Sequence, residues 1–285
     1  MKACRRHDRR GTGEIMSPRI RRGPDLYEAV LYLAGTFFTA AAAGFSQNNM
    51  YVQYSRMYGR SCRISVLSLW VEFFRGTQPA ISTLPEELTE PFKLPVLWSF
   101  SLICFFLVIG KTAEKMRGAA YQQILRTESR KKWAGKICRT LAVQTLRWYG
   151  CILASTGIVV LCFKGTLLPA ETDAFLYLND VTDHFLSPVF LCPVCILSIV
   201  SLMAMAFLQA AITFVLSSVT GVIVSAAAMA ASVFWNKWFF LCQYLQFVRM
   251  QPESLLPGYF LAALIISGCT LLIYLRIRRM DFLEL

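Results

Sequence analysis

Cys192-Pro193-Val194-Cys195 is the one spacing in the chain suited to redox chemistry, because two thiols three positions apart can exchange a disulfide if one is held as an accessible thiolate. The same pair also reads as two small apolar residues flanking a proline that shapes a helix. Two histidines, His7 and His184, are too few for an imidazole metal cluster or a Ser-His-Asp arrangement. His184 with Asp180 and Asp183 comes nearest to a cation site and equally describes a solvated acidic loop. Gly110-Lys111-Thr112 matches the end of a phosphate-binding loop, but Phe105 stands where the first glycine of that loop belongs. The expectation is a chain with no catalytic, cofactor or metal residues of its own. One charge, Arg147, falls inside an apolar stretch; it is either a functional intramembrane cation or a side chain snorkelling to the surface.

The elements that would position these residues are set by composition. Of 285 residues, 56% are apolar and 16% charged, with a mean hydropathy of +0.50, which is too oily for a soluble domain. The net charge of +12 has two ordinary explanations, nucleic acid or an anionic membrane surface. The long uncharged runs, and the want of a basic stripe with interleaved aromatics, favour membrane lipid and set nucleic acid aside. A bilayer core about 30 Å thick takes roughly 20 apolar helical residues. Candidate spans are 27–45, 91–110, 137–163, 186–216, 219–236 and 254–275. The fourth and fifth come from 52 uncharged residues, Phe185 to Asn236, too many for one crossing and best broken near Ser217, Ser218 and Gly221. The expected fold is therefore an all-α membrane protein with six transmembrane helices in one domain, residues 26–285, behind a basic leader, residues 1–25.

Lys and Arg set the orientation. Residues 1–25 hold eight, 111–139 nine and 276–285 three, which is 20 of the 29 in the chain. Basic loops near spans stay in the cytoplasm, so both termini are expected there. A competing reading treats Ala40 to Gly44 as the end of a cleaved signal peptide, and Met16 is an alternative start. Between the second and third spans, Ala113, Met116, Ala120 and Ile124 recur at helical spacing and predict an amphipathic helix; Thr127, Glu128 and Ser129 interrupt it. Arg130, Lys131, Lys132, Trp133 and Lys136 lead on into the third span, making an elbow at the inner surface. On the other side, Ile64 to Phe74 and Trp238 to Val248 are apolar but too short to span. With Glu72 and Arg249 inside them, they are expected to lie in the outer leaflet as interfacial segments.

The order of these features, with Glu114, Arg117-Gly118, Ile124-Leu125, Ser129-Arg130 and Lys136 in the elbow, resembles the permease subunit of an ABC-2 type ABC transporter, particularly small bacterial exporters. The basic close Arg278-Arg279-Met280-Asp281 is similar to the tail of such permeases. Ala119 and Thr127-Glu128 depart from the family's pattern. The resemblance implies a multi-pass protein of the bacterial cell membrane that exports a hydrophobic or amphipathic solute. It implies a second permease, identical or related, and separate ATPase subunits carrying the ATP and Mg. The elbow would then be a coupling helix, with Glu114, Arg117, Gly118, Arg126, Ser129, Arg130 and Lys136 as ATPase-coupling residues. Alternatives from other classes are a polytopic thiol oxidoreductase using Cys192 and Cys195, and a non-transporting scaffold or immunity protein.

Overall fold

Long apolar runs without water to bond their backbones must become helices, and 85% of the described residues are helical. The computed structural model describes residues 26–77, 94–124, 130–169, 171–179 and 187–279. The helices are α1 (Leu26–Tyr58), α2 (Val66–Phe73), α3 (Val96–Ile124), α4 (Arg130–Cys162), α5 (Thr172–Asn179), α6 (Pro188–Val215), α7 (Ser218–Phe234) and α8 (Leu255–Arg279). Among them α1, α3, α4, α6 and α8 are long and apolar enough to cross a membrane, so this is a helical protein of multi-pass membrane character. α7 is equally apolar but has only 17 residues.

The expected break between the fourth and fifth spans is present. Ser217 lies in the extended region, and its hydroxyl accepts a hydrogen bond from the Thr220 amide at 3.1 Å, an N-cap that starts α7 two residues after α6 stops. α6 begins with Pro188 at its first position, where a missing N–H costs nothing. It is the central helix, touching α3, α4, α7 and α8. Small buried residues on it, Ala204, Ala206, Ala210 and Ala211, allow that close packing. α1 contains a π-helical segment, Leu33–Phe38, at the level where the Tyr32 ring meets Trp148 of α4 with centroids 5.1 Å apart.

Two expectations are corrected. The elbow is not a separate helix on the membrane surface: residues 111–124 continue α3 without interruption, and Arg130 to Lys136 form the first turns of α4. Ala113 and Met116 are buried against the bundle, so the apolar period that marks a surface helix here serves helix-helix packing. The expected amphipathic coupling helix is instead the shared end of two long helices, joined through residues 125–129, which lie outside the described residues along with 1–25 and 280–285.

The second correction concerns the two short apolar segments. Ile64 to Phe74 is largely buried rather than interfacial, and so is Leu241 to Phe247 of the second segment, whereas Trp238 and Phe239 at its start stay exposed. α2 and the 3-10 turns Leu241–Leu245 and Phe247–Arg249 form a plug at the opposite end of the bundle from the α3–α4 connection. Trp70, Phe73, Phe74, Tyr244, Leu245 and Phe247 are each at most 4% exposed. The rings interlock, with Trp70 and Phe247 centroids 4.7 Å apart and Phe74 stacked on Tyr149 at 5.7 Å. The backbone joins too: the Phe247 and Val248 amides donate to the Phe74 and Arg75 carbonyls at 2.8 and 3.1 Å. The charges that pointed to an interface find partners inside the fold. Glu72 accepts from the buried Gln47 amide at 2.9 Å and pairs with Arg75 at 3.5 Å.

Candidate functional site

Contacts between helix ends define the end of the bundle where the basic residues gather. Glu114 and Arg117 lie one turn apart on α3 and so share a face. Both reach the α6–α7 turn. The Glu114 carboxylate accepts from the Ser218 hydroxyl at 2.9 Å, at the first turn of α7 where unpaired amides make a partial positive charge. The Arg117 guanidinium donates to the Thr213 and Leu216 carbonyls at 3.0 and 2.7 Å, at the negative end of α6. One acid and one base thus clasp a turn whose two halves carry opposite partial charges.

The clasp sits on a dry seat. Gln209, fully buried, donates its amide to the Phe106 carbonyl at 2.5 Å and so ties α6 to α3. α7 comes close enough that a Cβ added to Gly221 would lie 2.6 Å from the Thr213 hydroxyl and 3.0 Å from the Gln209 carbonyl oxygen. Only glycine fits that approach.

The same end holds the remaining helices. Lys115 of α3 pairs with Glu28 of α1 at 2.5 Å, and the Lys111 ammonium sits 4.4 Å from the Tyr27 ring centroid. Arg130, at the start of α4, donates to the Arg278 carbonyl in the last turn of α8. Lys136 lies 5.2 Å over the ring of Trp133, a side chain only 2% exposed. A Cβ at Gly118 would meet nothing within 4 Å among the described residues. Of the seven residues expected to couple an ATPase, Glu114, Arg117, Gly118, Arg130 and Lys136 lie at this end, whereas Arg126 and Ser129 lie outside the described residues. The motif did not reveal the partners Glu28, Gln209, Thr213 and Ser218. Glu28, an acid at the mouth of the first span beside an excess of bases, was the one legible hint.

The opposite end has its own arginine. Arg249 donates through Nε to the Thr77 carbonyl at 2.6 Å, through Nη2 to Val233 at 2.8 Å, and through Nη1 to Ser232. These carbonyls include the last turn of α7, so Arg249 does for α7 what Arg117 does for α6. Burial pulls its pKa down to about 10, and it stays a cation at neutral pH. In the same plug Cys242, fully enclosed, has its thiol pushed up to about 12 by desolvation. It is inert as a nucleophile at neutral pH.

Cys192 and Cys195 sit in the second turn of α6, Cys192 exposed and Cys195 half-buried, both as free thiols. Between them the Pro193 carbonyl accepts from the Tyr259 hydroxyl of α8 at 2.6 Å, a structural use of the motif. Gly110-Lys111-Thr112 is helical within α3 and cannot wrap a phosphate. No three His, Cys, Asp or Glu side chains gather among the described residues; Asp180, Asp183 and His184 lie outside them. Arg147 is exposed on the outside of α4 next to the exposed Leu146, not within the bundle.

No protein-family pattern, no curated protein and no solved structure matches the chain.

Proposed function

We propose that this chain is the permease subunit of an ABC-2 type transporter. In this reading it has six spans, with α7 as the short fifth, and both termini on the cytoplasmic side of a bacterial cell membrane. It exports a hydrophobic or amphipathic solute beside a second permease, and separate ATPase subunits holding ATP and Mg dock at the basic end. The observation that supports this best is the clasp. The α3–α4 extension is tied to α1 by Lys115, to the α6–α7 turn by Glu114 and Arg117, and to α8 by Arg130. A force applied to its tip is therefore delivered to the other long helices as a rigid-body tilt, the kind of motion a docked motor would drive. Gly118 adds to this: mid-helix glycine costs about 1 kcal/mol against alanine, and no contact among the described residues requires it. A flat strip for a docked partner explains it.

The test is purification of the tagged chain from native membranes in mild detergent, with mass spectrometry and an ATPase assay. The expected result is a co-purifying protein bearing G-x-x-x-x-G-K-[ST] and vanadate-sensitive hydrolysis. The double variant R126E/R130E is expected to insert normally and lose that partner; normal co-purification would remove the coupling assignment. Recovery without any ATPase, where a control transporter keeps its own, would transfer the weight to thiol chemistry at Cys192 and Cys195 or to a scaffold role.

A further inference from the structure

Between the end of α7 and the buried plug runs Phe234-Trp235-Asn236-Lys237-Trp238-Phe239-Phe240, and its large rings face outward. Phe234, Trp235, Trp238 and Phe239 are 42%, 44%, 59% and 52% exposed. The other four of the chain's six tryptophans are at most 4% exposed. This exposure is built, not loose. The Phe240 amide closes a turn onto the Lys237 carbonyl at 3.0 Å, and the hydroxyl of buried Tyr244 holds the Trp238 carbonyl at 2.8 Å. The Trp235 and Phe240 rings stack with centroids 6.4 Å apart, and Phe239 and Phe240 approach to 4.7 Å.

The patch continues the apolar outer face of α7, where Val219, Ile223 and Val224 are exposed. Its position answers a length problem. At 1.5 Å per residue the 17 residues of α7 reach about 25 Å, short of a hydrocarbon core of about 30 Å. α6, with 28 residues, reaches about 42 Å. A crossing that is too short draws its flanking residues into the bilayer or thins the leaflet around it. Trp and Lys are the residues that settle at headgroup depth, rings towards the acyl chains and ammonium towards phosphate.

We propose that residues 234–240 form a fixed wedge seated in the outer leaflet of a phospholipid bilayer, with the Trp235, Trp238 and Phe239 rings among the upper acyl chains and Lys237 at the phosphates, thinning the leaflet beside α7. The inference rests on the six-span reading in taking α7 as a crossing and its C-terminal end as the outer one.

The full chain is reconstituted in phosphatidylcholine vesicles brominated either high (6,7) or low (11,12) on the acyl chain, and tryptophan emission is read. Expected are stronger quenching by the high bromines and loss of most of that quenching in W235Y/W238Y, whose near-ultraviolet circular dichroism and gel-filtration profile report an intact fold. Three results would each overturn the wedge: no quenching, quenching equal at both depths, or quenching that survives in W235Y/W238Y. No quenching with a gel-filtration shift to a larger species identifies a second copy over the tip instead of lipid. Epitopes inserted after Ser217 and after Asn236, probed in intact and permeabilised cells, separate the two ideas. Opposite sides with no quenching removes the wedge alone, and the same side removes the crossing.

Discussion

Each end of the α6–α7 hairpin finishes on an arginine, and the two arginines sit in opposite surroundings. Arg117 reaches the α6 carbonyls from a neighbouring helix at the wet end of the bundle, beside Glu114 and the partly exposed Lys115–Glu28 pair. Arg249 reaches the α7 carbonyls from a loop folded into the plug, with Trp70, Phe247 and Cys242 close to fully buried around that end. A cation at a helix C-terminus is favourable in both places. Water decides what its removal costs. At the basic end, solvent can take over the freed carbonyls, so the interaction is adjustable. In the plug the one other side-chain donor to these carbonyls among the described residues is Gln246, 3.4 Å from the Ser232 carbonyl, so the interaction is far less replaceable. One end is held by contacts that water can replace, and the other by contacts that it cannot.

The largest effect is expected from R249M, which removes the arginine donor from three carbonyls in the plug, leaving Ser232 only its longer bond from Gln246. It should cost on the order of 3 kcal/mol, and Cys242 should turn from protected to reactive towards maleimide as the plug opens. Cys192 and Cys162, exposed already, serve as the reference. A protected Cys242 in R249M would erase the distinction between the two ends. Next comes G221L, which forces α7 away from Thr213 and Gln209. A loss of about 2 kcal/mol is expected from overpacking, read as a lower unfolding temperature in detergent with Cys242 still protected below the transition. R117A should cost about 1 kcal/mol or less. That cost should shrink as salt is raised from 0.05 to 0.5 M, because a partly exposed charge next to the exposed Glu114 and Lys115 is screened within roughly 10 Å at 0.1 M. The R249M penalty should not change with salt, and equal salt dependence in the two variants would contradict the contrast. Smallest is E28Q, which removes a surface ion pair and should move stability by no more than about 0.5 kcal/mol. A change several times larger would mean that α1 is held at the basic end chiefly by Glu28.

The long helices were readable because their cause is local: apolar runs, a small-residue break at Ser217 and an excess of Lys and Arg at particular loops. The plug was not readable, because its causes are remote. Eleven apolar residues containing Glu72 look interfacial until Gln47, 25 positions earlier, supplies an amide to the carboxylate. Arg249 looks solvent-seeking until Thr77, 172 positions away, supplies a carbonyl. At the basic end the spacing of Glu114 and Arg117 correctly placed them on one helical face, but a period of 3.6 cannot tell which element that face meets. The same period misassigned Ala113 and Met116 to a membrane surface when they pack on the bundle.

The π-helical segment of α1 carries a consequence for how the gene can vary. A π turn takes up one residue more than an α turn before its hydrogen bond closes, so it accommodates an extra residue without turning the helix beyond it. Downstream of Leu33–Phe38, Gln47, Tyr51 and Tyr54 all point inward. Their phase is the one a plain α-helix would give if the chain were a residue shorter. A single-codon deletion in that stretch is thus the length change α1 is equipped to absorb. A single-codon insertion would swing those three side chains by about 100° and unseat the plug from a distance.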